Sequence, residues 1–132
     1  MAYEISNYSV KVTLVAGADL SALQYTFVKL NSSGAAVAVA AATDVPIGVL
    51  QNAPTSGQEA EVLVVGGTKL VASASATLGT ALNLGTTSSG RAATLAVSDT
   101  TKYVLGVYVT APGGNGEICT AIINCANPTR AI

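Results

Sequence analysis

Ile47-Gly48-Val49, three residues, Ala53-Pro54, the loop Thr55-Ser56-Gly57, then Glu59 and the apolar run ending at Val65 form a stretch that the chain writes twice. It returns as Leu105-Gly106-Val107, three residues, Ala111-Pro112, the loop Gly113-Gly114-Asn115-Gly116, then Glu117 and a second apolar run. Gly48/Gly106, Val49/Val107, Ala53/Ala111, Pro54/Pro112 and Glu59/Glu117 fall at one offset of 58 residues. Each copy reads as a β-hairpin. Proline fixes φ and has no N–H for a ladder, so a strand ends or lies at an edge at Ala-Pro. After the loop, Ala60, Val62 and Val64 alternate with Glu59, Glu61 and Leu63, the period of a pleated strand.

The likeness continues upstream. Asn31-Ser32-Ser33-Gly34 leads into an Ala/Val strand, and Thr86-Thr87-Ser88-Ser89-Gly90 leads into 91–97, at an offset of 56. The two-residue slip belongs in a loop, where insertions are tolerated. The reading is all-β: a single domain, an internally duplicated small β-barrel or β-sandwich of short antiparallel strands. An N-terminal arm and first strand occupy 1–15, the halves run over about 16–67 and 68–126, and 127–132 is a C-terminal tail.

Outside the duplicated stretch, Val10, Val12 and Leu14 alternate with Lys11 and Thr13 as a strand, and Tyr25 to Leu30 is a second. Gly17 to Leu23 reads as a turn with one helical turn capped by Asp19. Gly66-Gly67 reads as a turn followed by a short strand at Lys69 to Val71. A loop then leads to the strand Ala81 to Leu84, and Tyr103 to Val109 opens the second hairpin.

A chain of 132 residues with 50% hydrophobic and 10% charged residues is long enough for one core and poor in charge for a soluble domain. So much neutral surface points to partners, and self-association is the working expectation. The net charge of −1 gives no basic footprint for nucleic acid and no polybasic membrane patch. The run Ala35 to Ala42 is too short to cross a bilayer. The N-terminus carries neither the basic nor the apolar region of a secretory signal, so synthesis in a cytosolic compartment is expected. Cys119 and Cys125 would stand about 20 Å apart on one strand, beyond disulfide reach, and read as reduced structural thiols.

Catalytic chemistry has few candidates. There is no histidine, the commonest general base and metal ligand. Glu59 and Glu61 share a strand face, but the second copy has Cys119 where the first has Glu61, so no shared carboxylate pair exists. No Gly-x-Ser-x-Gly elbow occurs, and the glycines at 113–116 lack the Lys and Ser/Thr of a phosphate loop. The chain reads as a non-enzyme without catalytic, cofactor or metal residues.

The Leu-Asn-Ser-Ser-Gly turn, Pro46-Ile47-Gly48-Val49, the Pro-containing loop and Glu61-Val62-Leu63-Val64-Val65-Gly66 resemble the small capsid decoration (cement) proteins of tailed bacteriophages, over about Ala16 to Asn124. The resemblance implies a β-rich homotrimer on the capsid exterior of a virion, with the major capsid protein as partner. It would clamp shell subunits after expansion, through many weak contacts that add on a lattice. By position, the capsid-contacting arm falls on Ala2, Tyr3, Glu4, Ile5 and Tyr8. The alternatives are a head-fibre or adhesin module binding host glycans, and a tail-tube or baseplate component forming rings of six.

Overall fold

The computed structural model describes residues 9–85 and 90–130. Among these residues eleven strands run in order: β1 (Val10–Val15), β2 (Phe27–Leu30), β3 (Ala36–Ala38), β4 (Gly48–Leu50), β5 (Glu59–Val71), β6 (Ala81–Leu84), β7 (Ala92–Thr94), β8 (Tyr103–Val104), β9 (Gly106–Tyr108), β10 (Ile118–Asn124) and β11 (Thr129–Arg130). No helix occurs among the described residues. The chain is a single all-β domain whose main antiparallel sheet curls into a half-barrel. The sheet order is β3-β2-β4-β5-β10-β9-β6-β7, with β1 also on β5 and a separate β8-β11 pair.

Both expected hairpins form. β4 pairs with β5 through Val49 opposite Leu63, and β9 with β10 through Val107 opposite Ile122. Several bonds then recur at matching places in the two halves. Gly17 N–H donates to Ala36 O at 2.8 Å, and Ser73 N–H to Ala92 O at 2.8 Å. Leu20 N–H donates to Pro54 O at 2.9 Å, and Ala76 N–H to Pro112 O at 3.1 Å. Thr26 Oγ1 donates to Leu23 O at 2.7 Å, and Thr80 Oγ1 to Thr77 O at 2.6 Å. Tyr25 at φ 63° stands where the second half has Gly79 at φ 78°, and their N–H groups donate to Leu50 O and Tyr108 O, each at 2.8 Å. A tyrosine in the left-handed region is unusual. Here the Lys69 ammonium lies 5.7 Å from the centroid of its ring.

Five local readings are corrected. Gly66-Gly67 does not turn the chain: β5 runs unbroken through both glycines, and Gly66 at φ 133° only adjusts the backbone. The segment Lys69 to Val71 is therefore the end of β5, not a strand of its own. Tyr103 to Val109 is split at Leu105, because β8 leaves the main sheet to pair with β11. Thr129 and Arg130 are thus strand residues rather than tail, held by Arg130 Nη2 donating to Thr101 O at 2.9 Å and by its guanidinium over the Tyr103 ring. Finally, 17–23 forms turns without a helix, although Asp19 Oδ1 does accept from Ser21 N–H at 3.0 Å as the expected cap would.

Two cores result. Ala16, Leu20, Val28, Leu50, Ala60 and Val62 fill the first. The second joins the opposite face of the first half, Phe27, Val49 and Leu63, to Leu82, Tyr108, Ala121 and Ile123 of the second half. The first-half sheet is therefore buried on both sides. This is why Leu63, expected to share a face with the exposed Glu59 and Glu61, is itself buried.

Gly48 and Gly106 are where partner strands come closest. A Cβ at Gly48 would lie 2.3 Å from Leu63 O, and one at Gly106 2.1 Å from Ile122 O. Backbone oxygens cannot move aside without breaking the ladder. Gly48→Ala and Gly106→Ala are each expected to destabilise by about 1–3 kcal/mol or more in urea unfolding. Gly67→Ala, with no atom within 4 Å of the new Cβ, should stay within about 0.5 kcal/mol of wild type.

Candidate interaction surface

The arm residues Ala2, Tyr3, Glu4, Ile5 and Tyr8 lie outside the described residues. The strand after them is placed: β1 begins with Val10 opposite Val65, the same residue that faces Asn124 at the end of β10. β1 thus starts against the middle of β5.

The residues that mark the repeated stretch hold the hairpins together. Pro54 and Pro112 are buried, and their carbonyls accept the Leu20 and Ala76 bonds, so each Ala-Pro pins a loop of its own half. Ala53 and Ala111 are exposed beside them. The two glutamates differ in position. Glu59 opens β5, whereas Glu117 precedes β10 and stands where the first half has Gln58. Ala16 N–H donates to Gln58 O as Ala72 N–H donates to Glu117 O, each at 2.8 Å. The side chains do the same work: Gln58 Oε1 accepts from Thr55 N–H at 2.8 Å and Glu117 Oε2 from Gly113 N–H at 2.6 Å. The second loop is one residue longer, and Gly57 at φ 83° and Gly116 at φ 87° close the two tips.

Ionised groups act locally. Asp44 Oδ2 accepts from Lys29 Nζ at 2.8 Å and from the N–H groups of Ala40 and Ala41 at 2.9 and 3.0 Å, tying the end of the β2–β3 hairpin. The Lys29 ammonium, aided by those N–H groups, holds the Asp44 carboxyl below its ordinary range. Lys102 and Thr101 do the same to Asp99. Glu59 and Glu61 are exposed on β5. Among the described residues no group of three His, Cys, Asp or Glu is placed to hold a metal, and no helix is long and apolar enough to cross a membrane.

The core holds three titratable groups, Cys119, Cys125 and Tyr108. Cys119 and Cys125 are buried free thiols. Burial pushes Cys125 up to about 12 and raises Cys119, whose Sγ donates to Leu70 O at 3.3 Å. Tyr108 occupies the place of Leu50 in the other half, and burial raises its phenol to about 12. Among the described residues its hydroxyl has no hydrogen-bond partner.

Apolar side chains remain open to solvent on the outer β surface. On the second half, Ile118, Thr120 and Ile122 of β10 face solvent, with Val107 of β9 beside Ile122. Nothing in a sequence without its strand order shows that these side chains stay uncovered while their counterparts Val49 and Leu63 are buried.

No family model matches the chain, and no curated protein matches it. Among solved structures it is similar to the head fiber gp8.5 N base of bacteriophage phi29, at 19% identity and a TM-score of 0.65, over 89% of this chain and 96% of that one. The two share a fold.

Two measurements check the buried and ionised groups. Tyr108→Phe removes an unpaired buried hydroxyl and is expected to stabilise the fold by about 1–3 kcal/mol in urea titration. For Asp44, a carboxyl held low in the folded state stabilises above its unfolded value near 3.8, and that contribution is lost as pH falls through the folded value. Thermal stability should therefore drop below about pH 4. Asp44→Asn, which leaves Lys29 without its charge partner, should flatten part of that drop at a cost of about 1 kcal/mol at pH 7.

Proposed function

We propose that this chain is a non-enzymatic structural protein of a bacteriophage virion that binds the outside of the head, as a trimer, and stabilises the shell as a decoration or cement protein. The observation that carries the reading is the fold likeness to a head fiber N base over nearly the whole length of both chains. The Leu-Asn-Ser-Ser-Gly turn and the Gly-Val hairpin resemble the decoration family independently of that likeness. A surface poor in charge and dominated by small side chains suits a clamp whose contacts are individually weak and repeated over a lattice. Its partners are the major capsid protein and further copies of itself. Nucleic acid and membrane are not among them.

A second reading is favoured by the same fold likeness. The chain would then be the base of a head fibre, seated on the shell and carrying a distal host-binding segment. Both readings place one face on the capsid. They differ in whether occupancy strengthens the shell.

Purified chain mixed with expanded, undecorated heads should co-sediment with them saturably. Under the decoration reading, saturated heads should resist heat-induced DNA release at temperatures where bare heads fail. Binding without that gain would favour the head-fibre base, and no binding would refute both.

A further inference from the structure

The outer surface of the second half forms a stripe. Val71 lies opposite Ile118, Lys69 opposite Thr120, and Gly67 opposite Ile122. Ile122 continues the row to Val107. Its apolar side chains are open to solvent: Ile118 is 56%, Ile122 59% and Val107 42% exposed. Lys69 is its charge. Glu117, next to Ile118, has its carboxylate turned to Gly113 N–H.

The matching stripe of the first half has Val15 opposite Glu59, Thr13 opposite Glu61 and Lys11 opposite Leu63. Its far row, Leu63 and Val49, is covered by second-half side chains. Its near end is exposed and carries Val15, at 55% exposure, directly opposite Glu59, with Glu61 opposite Thr13 further along. One stripe is thus apolar with a single cation, and the exposed end of the other carries Val15 with two anions, Lys11 lying beyond them opposite Leu63. Among the described residues neither Lys69 nor Glu59 nor Glu61 has an ion-pair partner.

The two stripes cannot meet within one chain. Glu61 and Lys69 are on the same strand, eight residues and so about 26 Å apart, far beyond the reach of a lysine. Their complementarity is available only between copies.

We infer that the second-half stripe of one copy, centred on Lys69, Ile118 and Ile122, docks on the Val15–Glu59–Glu61 surface of a second copy of this chain. Two different patches meet, so the contact is heterologous and closes into a ring when its rotation permits. Lys69 faces the glutamates while Ile118 and Ile122 cover Val15, removing apolar surface from water on both sides. The contact rests on the proposed function for the number of copies in the ring, three, and not for its location.

Light scattering across a dilution series of the full chain tests it. Wild type is expected at three times the 13.1 kDa of the chain. Ile122→Asp should give the single-chain mass with an unchanged circular dichroism spectrum, since Ile122 packs against no core. Lys69→Glu and Glu61→Lys should each weaken association about tenfold or more, and the double variant should recover to within about threefold of wild type. Wild type at single-chain mass at every concentration, an Ile122→Asp protein that assembles normally, or a double variant no better than its parents would overturn the contact. Wild type that assembles as expected but ignores heads would refute the capsid reading and leave this contact supported.

Discussion

Strand β5 is the constraint on which the rest of the molecule depends. Its thirteen residues finish one half and begin the next: β1 and β4 pair along Glu59 to Val65, and β10 pairs along Val65 to Val71. A strand shared in this way fixes the register of both halves at once, because a one-residue slip would turn every side chain of β5 to the wrong face. Gly66 and Gly67 lie where the two uses of the strand meet. They supply the backbone freedom for the handover without ending the ladder.

From that register comes an unequal distribution of core. The first half fills its own interior with small and branched residues, then lends its other face, Phe27, Val49 and Leu63, to the core of the second half. Among the described residues, nothing covers the corresponding face of the second half. Burying apolar area on only one side of half the sheet leaves Ile118, Ile122 and Val107 in water. The packing of the two halves thus leaves an uncovered apolar surface on the second.

Much of this was legible in the sequence. Gly-Val and Ala-Pro repeated at a fixed spacing announced two hairpins, and the Ser-Ser-Gly turns marked the hairpin upstream of each. The paired glycines have a definite cause: Gly48 and Gly106 sit against the carbonyls of Leu63 and Ile122. What misled was local chemistry overruled by tertiary pairing. Two consecutive glycines usually signal a turn, but here long ladders on both sides of them hold the chain extended. Arg130 sits close to a proline and reads as tail until its guanidinium finds the Tyr103 ring and the Thr101 carbonyl. Glu117 matched Glu59 in the sequence, yet one extra loop residue gives it the place and the task of Gln58. Which apolar face stays exposed depends on how the halves stack, and a linear pattern holds no such information.

Native-state hydrogen exchange along β5 tests most directly the claim that one shared strand makes the two halves a single cooperative unit. Amides of the first part of β5, bonded to β1 and β4, and of its second part, bonded to β10, are expected to exchange only through global unfolding, with one common free energy and one denaturant dependence. Two distinct free energies, one for each part of the strand, would contradict the account.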